Sequence, residues 1–233
     1  MDDVEGITHV FFDVGGTLLL PEPGAPELFR RVLAGRGHAI DRETVFRLLR
    51  APESLVNLIR PLAEDRQAEY YRHVNARVLE HLGFSSDDAI LDELRAGFDE
   101  IVWRPYPDAV EALEALRAAG FHLGVVSNAD HRLPRVLRDC GLAGLLETVT
   151  VSTEVGAEKP DPRIFRRAVA QAGTSPERSL HVGDNFEADY IGARNAGLHA
   201  VVVLRGHAPP APCPHVTDLK EIPPRLAPPR SRP

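Results

Sequence analysis

Four small groups of polar residues carry the side chains that phosphate and metal chemistry require. They are Asp13 with Thr17 in FFDVGGTLL, Ser127-Asn128 after two valines, Lys159 in EKPDP, and Asp184 with Asp189 in GDNFEAD. Paired carboxylates suit a hard cation. A hydroxyl and a lysine suit phosphoryl oxygens, and Gly15 and Gly16 let backbone approach a ligand closely. Taken singly, each group has a plainer reading: a strand-end Asp caps a turn, Ser-Asn caps a helix, and a lysine before proline is solvated. What joins them is position, since each follows a buried-looking strand. FFDVGGTLL alone fits either a glycine loop that cradles a nucleotide or an acid that attacks phosphorus.

The elements that would position these groups alternate along the chain. Short apolar, β-branched runs occur at 7–12 (ITHVFF), 121–127 (FHLGVVS), 148–152 (TVTVS), 179–184 (SLHVGD) and 199–204 (HAVVVL). Between and after them lie DAVEALEALRAAG, HRLPRVLRDCG, DPRIFRRAVAQAG and EADYIGARNAG, in which apolar residues return every three or four positions and a glycine closes each helix. Continuous apolar strands alternating with helices predict a parallel sheet covered by helices. In such sheets ligands sit at the carboxyl ends of the strands, where Asp13, Ser127 and Asp184 fall. From about Leu20 to Trp103 the sequence reads as helical only, with APELFRRVLAG, RETVFRLLR, RQAEYYRHVNARVLEHLG and SSDDAILDELRAGFDEIV and no convincing strand. A helical insertion over 21–103 is therefore expected, placed after the first strand and poised above the site, within a core made of 1–20 and 104–233. The tail from His207 is rich in proline and is read as a loop, loose from about 224, with HVTDLKEI allowing one more short strand and a turn of helix.

Composition narrows the possible functions. The chain has 233 residues, of which 43% are apolar, enough for a substantial core. Its net charge of -7, without a basic stripe, argues against a nucleic-acid binder. There is no run of about eighteen apolar residues and the first residues, MDDVEG, are acidic, so neither a membrane span nor a signal peptide is expected. Cys140 and Cys213 cannot make a disulfide framework or a four-cysteine zinc site, and a cytoplasmic setting is the simplest expectation. Lys159 and Lys220 are the only lysines, so a mechanism that needs one has two candidates.

With these residues in order, the chain resembles the haloacid dehalogenase superfamily. DVGGT, VVSNAD, EKPDPRIF and GDNFEADYIGARNAG match its four motifs in sequence, and the resemblance runs over roughly 7–204. Within it the chain is similar to the rhythmically-expressed-gene-two-like group, also called haloacid-dehalogenase-like-domain-containing three. The resemblance implies a Rossmann-like α/β core with a helical cap after the first motif. It also implies Asp13 as a nucleophile that forms an aspartyl-phosphate. Magnesium would be held by Asp13, the backbone carbonyl of Gly15 and Asp184, with Asp189 either a further ligand or a supporting acid. Ser127, Lys159, Gly16 and Thr17 would bind the phosphoryl group, and Asn128 would touch substrate or fix its loop. The implied substrate is a small phosphorylated metabolite, and the implied assembly a monomer or weak dimer.

The sequence departs from the pattern at Gly15. Phosphatases of this superfamily carry a second Asp there, which protonates the leaving group and activates the attacking water; such help is worth roughly 10²–10⁴-fold. Asp130 could stand in, although it also suits an N-cap of HRLPRVLRDCG. Tyr70, Tyr71 and His73 on the cap could line the pocket, or pack the cap interior. His181, inside a strand, is read as a core histidine. Four other readings can be weighed against the sequence. Dehalogenases of the superfamily place an aromatic residue at position 15. Phosphonoacetaldehyde hydrolases need a cap lysine, which 20–103 lacks. A sugar-kinase fold shares DxGGT but has no role for GDNFEADYIGA. A phosphate-binding protein of weak or no activity would keep the acids and the lysine without turnover.

Overall fold

The structure is a computed structural model that describes residues 6–50, 67–206, 209 and 211–229. The chain divides into two compact units, one formed by Met1–Leu20 with Arg104–Pro233 and the other by Pro21–Trp103.

The first unit is built on a six-stranded sheet. Its strands are β1 (His9–Phe12), β4 (His122–Ser127), β5 (Thr148–Val151), β6 (Ser179–Gly183), β7 (His199–Val203) and β8 (His215–Val216). They lie in the order β5-β4-β1-β6-β7-β8, and every neighbouring pair is parallel. The five runs expected to be strands all form one, and HVTDLKEI supplies β8 and a single helical turn at Leu219–Glu221. From β1 the chain builds outward through β4 and β5, then returns to the other side of β1 for β6, β7 and β8. The strand order therefore reverses at β1, the switch point at which Rossmann-like sheets open a crevice beyond their carboxyl ends.

The helices of this unit are α5 (Ala109–Ala118), α6 (Leu133–Asp139), α7 (Ser152–Val155), α8 (Pro162–Gln171) and α9 (Gly192–Asn195). In α5 the buried residues Ala109, Ala112, Leu113 and Leu116 fall at the spacing of one helical face. In α8 the same pattern buries Ile164, Phe165, Ala168 and Val169, which join Phe11, Val126, Ala193 and Leu198 in one apolar cluster. A π-helical turn at Phe186–Ile191 precedes α9. The sequence reads this stretch as ordinary helix; in the wider turn the Ala188 N–H donates to Asn185 Oδ1 and Asp189 is placed in the core (1% exposed).

The second unit holds α1 (Ala25–Ala34), α2 (Arg42–Arg50), α3 (Gln67–His81) and α4 (Asp88–Asp99). Leu28, Phe29, Val32 and Leu33 of α1 pack with Val78 and Leu79 of α3 and with Ile90, Leu91 and Leu94 of α4. Asp87 caps α4 by accepting from the Ile90 N–H at 3.0 Å.

One sequence expectation fails here. The region from Leu20 to Trp103 is not bounded by helices alone: β2 (Leu19–Glu22) and β3 (Val102–Pro105) pair as a two-stranded ribbon. Each strand is four residues long and contains a proline, which weakens the strand signal. Their pairing also joins residues about eighty positions apart, beyond the reach of a local pattern.

Candidate active site

The sheet topology brings four loops to one end of the core unit. Asp13 follows the last residue of β1, Ser127 ends β4, and Asp184 follows the last residue of β6. Lys159 lies in the loop between α7 and α8. The Asp13 N–H donates to Val182 O at 2.9 Å, extending the β1–β6 ladder one residue and fixing where the acid's side chain begins.

The chain then makes a tight turn. Leu18 and Leu19 N–H both donate to Val14 O, at 2.9 and 2.8 Å, and Gly16 N–H donates to Leu19 O at 2.9 Å. Gly16 has a φ of +78°, and a Cβ there would lie 2.5 Å from Asp184 Oδ2. Glycine at 16 is thus what lets the turn press against the Asp184 carboxylate. The Gly16 N–H, expected among the phosphate-binding amides, is engaged with Leu19 O in this turn. Thr17 is fully buried, its N–H bonds to Val14 O at 3.3 Å, and its hydroxyl has no partner among the described residues. Gly15 bridges to Leu19 and contributes no side chain.

Lys159 is the centre of the site. Its Nζ donates to Asp13 Oδ1 and to Asp189 Oδ1, each at 2.6 Å. Ser127 Oγ donates to the same Asp13 oxygen at 3.2 Å. The Lys159 backbone is clamped by Asn128, whose Nδ2 donates to Lys159 O at 3.0 Å and whose Oδ1 accepts from Lys159 N–H at 2.7 Å. Of the two roles left open for Asn128, this geometry supplies loop fixing. Asp189 is bonded through both oxygens: Oδ1 also meets His181 Nε2 at 2.9 Å, and Oδ2 accepts from Asn185 N–H at 3.0 Å. The absence of a side chain at Gly183 makes room for it, since a Cβ there would fall 2.1 Å from Asp189 Cγ.

His181 is the residue that sequence reading missed. It is fully buried in β6, as a core histidine would be, but its ring bonds to the acid cluster. Because Asp189 Oδ1 can only accept, Nε2 carries the proton. Nδ1 is buried without a partner among the described residues. Burial holds the ring's pKa below its ordinary value against the pull of Asp189, so the imidazole is neutral. The available signal was its spacing, eight residues before an acid that returns to the same strand end.

One carboxylate oxygen each from Asp13, Asp184 and Asp189 lie within 4.8 Å of one another. Two of these carboxylates, Asp13 and Asp189, share the one ammonium of Lys159. Burial, with the nearby Asp189 charge, pushes the Asp13 pKa up although Lys159 pulls it down. Burial raises Asp189 too, but Lys159 and His181 outweigh it and hold that acid below the ordinary range. Lys159 stays charged, because its two acid partners overcome the cost of burial. A cluster of hard oxygen donors with this excess of negative charge fits a divalent cation such as magnesium. Asp13, Asp184 and Asp189 each offer an oxygen to such an ion.

Asp130 takes no part in these contacts, and His73, Tyr70 and Tyr71 belong to the second unit. Asp130 is buried and paired with Arg132, accepting from its N–H at 2.8 Å and from its side chain at 2.8–3.1 Å. Burial opposes ionisation of Asp130, but Arg132 wins and lowers its pKa, which does not suit a proton donor. Nor does Asp130 sit at the N-cap of α6, a position held by Arg132. His73 lies on α3 and is exposed. Tyr70 and Tyr71 share that helix, with side chains outside the described residues.

Residues 7–197 match the haloacid dehalogenase-like hydrolase family. A glyceraldehyde 3-phosphate phosphatase of Methanothermobacter thermautotrophicus is 32% identical over 204 residues, covering 83% of this chain and 84% of the relative. Haloacid dehalogenase-like hydrolase domain-containing protein 3 of Danio rerio is 30% identical over 235 residues, covering 94% of this chain and 96% of that protein. Among solved structures, a magnesium-bound hydrolase of Bacillus subtilis matches with a TM-score of 0.70 at 21% identity, over 94% of this chain and 97% of that one, a likeness of fold. Among the described residues no helix is long and apolar enough to cross a membrane.

Proposed function

The chain belongs to the haloacid dehalogenase-like hydrolase family, and from that premise we propose that it is a magnesium-dependent phosphatase of a small phosphorylated metabolite. The observation that carries this reading is the buried chain of contacts Ser127–Asp13–Lys159–Asp189 beside Asp184, at the carboxyl ends of β1, β4 and β6. The archaeal relative, named for a phosphatase of a three-carbon sugar phosphate, supports a phosphorylated substrate of that size.

Asp13 is the nucleophile. Its carboxylate oxygen attacks phosphorus, the bond to the leaving oxygen breaks, and an aspartyl-phosphate forms; water then cleaves it and restores the acid. Lys159 and Ser127, which meet at Asp13 Oδ1, are placed to meet the phosphoryl oxygens as charge shifts onto them. Asp13, the Gly15 carbonyl and Asp184 would hold magnesium, which when bound supplies positive charge that offsets repulsion between a carboxylate and a phosphate dianion. Asp189 anchors Lys159, and Asn128 anchors its backbone. Residues 21–103 act as the cap that selects substrate, with the core formed by 1–20 and 104–233.

Gly15 leaves the leaving group without its usual proton donor. Esters with good leaving groups should therefore react, and alkyl phosphates should lag by roughly the 10²–10⁴-fold that general acid catalysis supplies. Turnover of an aryl phosphate and an alkyl phosphate with magnesium, each beside Asp13→Asn, tests this. Equal rates on the two esters would overturn the selectivity, and activity surviving in Asp13→Asn would overturn the nucleophile. Gly15 also supports a second reading, a phosphate-binding protein of weak or no activity. Magnesium-dependent phosphate binding without turnover on any ester would favour it.

A further inference from the structure

In the loop that carries Asp13, four backbone N–H groups bond internally and two carbonyls are held from outside. The N–H groups of Gly16, Thr17, Leu18 and Leu19 bond to Val14 and Leu19 carbonyls. The carbonyls of Thr17 and Leu18 are held by other parts of the core unit. Arg205 Nη2 donates to Thr17 O at 2.7 Å, and Tyr106 N–H donates to Leu18 O at 2.9 Å.

Arg205 lies two residues past β7 and belongs to none of the four motifs. Its Nη1 donates to Asp108 Oδ2 at 2.8 Å, and the same oxygen accepts from Leu219 N–H at 2.8 Å. The guanidinium lies over the Tyr106 ring, with Cζ 3.9 Å from the centroid. Asp108 is buried and the Arg205 side chain is 14% exposed. One planar fork thus holds a loop carbonyl and a carboxylate at once while stacked on an aromatic face. Lysine, a point charge on a flexible stem, cannot copy that arrangement.

We propose that Arg205 is a positioning residue that holds the Asp13 loop in its reactive shape from behind. The need arises from this chain's own sequence. Gly15 and Gly16 are adjacent, so the loop has the most backbone freedom to lose just after the residue that must be placed most accurately. Neither glycine brings a side chain to pin it, and Gly16 must keep its +78° φ beside Asp184. Arg205 fixes the following residue, Thr17. The effect on catalysis rests on the reading of Asp13 as nucleophile; the ordering of the loop does not.

The test compares Arg205→Lys and Arg205→Met in the full chain. Hydrogen exchange on metal-free protein follows the amides of Gly16, Thr17, Leu18 and Leu19, with Leu180 and Val182 of β6 as the internal reference. We expect the loop amides to exchange about tenfold faster or more in both variants while the β6 amides hold their wild-type rates. If either variant is too unstable to purify, the other carries the measurement. With an aryl phosphate and magnesium, kcat should fall about 10–100-fold and KM should hardly change, as expected for a misplaced nucleophile. Millimolar guanidinium should restore part of the kcat of Arg205→Met. Unchanged loop exchange, or loop and β6 amides accelerating together, would overturn the proposal. Asp13→Asn separates the two ideas: if it leaves turnover intact the nucleophile reading falls, while the exchange data still decide the role of Arg205.

Discussion

Replacing Lys159 with Met removes the ammonium that stands 2.6 Å from both Asp13 Oδ1 and Asp189 Oδ1 while roughly keeping the side-chain volume. Two buried carboxylates remain, 8% and 1% exposed, with their candidate ligand oxygens within 4.8 Å of each other. At an effective dielectric of about 20, a separation of that order gives a repulsion of about 3.5 kcal/mol. Breaking a buried ion pair from one side costs about 3–5 kcal/mol. For a chain of this size each kcal/mol lowers Tm by roughly 2–4 °C, so a fall of roughly 6–20 °C is expected near neutral pH.

The sign of the pH dependence sharpens the test. In the wild type Asp189 is held below the ordinary range, because Lys159 and His181 outweigh burial. Its stabilisation is present above about pH 4 and is lost only as pH falls through the lowered value. In the variant both acids are raised, so stability is complete below about pH 4 and is lost as pH rises through the raised values. The gap in Tm between wild type and Lys159→Met should therefore widen from about pH 5 to about pH 8, read by thermal melts in metal-free buffer. A gap that is constant with pH, or a variant as stable as wild type at the upper end, would refute the claim that Lys159 neutralises this acid pair.

Three further outcomes follow from single contacts. Gly16→Ala places a Cβ 2.5 Å from Asp184 Oδ2 at a φ of +78°, costing about 1–2 kcal/mol in backbone strain alone; calorimetry should show weakened magnesium binding, and wild-type affinity would remove Asp184 from the metal site. His181→Leu deletes the donor to Asp189 and should cost about 1–3 kcal/mol, whereas His181→Gln keeps a donor and should retain part of that stability; equal Tm losses in the two would refute the role of the N–H. Burial raises the Glu158 pKa from 4.5 to about 8, so this acid's contribution is complete below about pH 4.5 and is lost as pH rises through about 8. Glu158→Gln should accordingly gain Tm over wild type as pH rises through that window, and a pH-independent difference would refute it.

Much of the core was legible because its signals are local. Runs such as HAVVVL are apolar on both faces, helices such as DPRIFRRAVAQAG show a buried stripe, and the polar residues that matter stand at strand ends. What stayed hidden depends on partners distant in sequence. β2 and β3 are short, contain prolines and pair with each other across about eighty residues. His181 looked like core because burial and bonding to an acid cluster leave the same mark on a strand pattern. Asp130 suited a cap or a catalytic acid equally well until Arg132 was seen to bind it. Gly16 was legible as a glycine that lets backbone approach a ligand; its close approach to the Asp184 side chain required coordinates.

The most direct measurement is acid-quenched mass analysis of the protein during turnover of an aryl phosphate with magnesium. One phosphoryl group should be found on Asp13 at steady state, because without an acid at position 15 the water that cleaves the aspartyl-phosphate lacks its usual base. Gly15→Asp should shorten the adduct's lifetime, and Asp13→Asn should show none. Turnover without an adduct, or an adduct on another residue, would contradict the assignment of Asp13 as nucleophile.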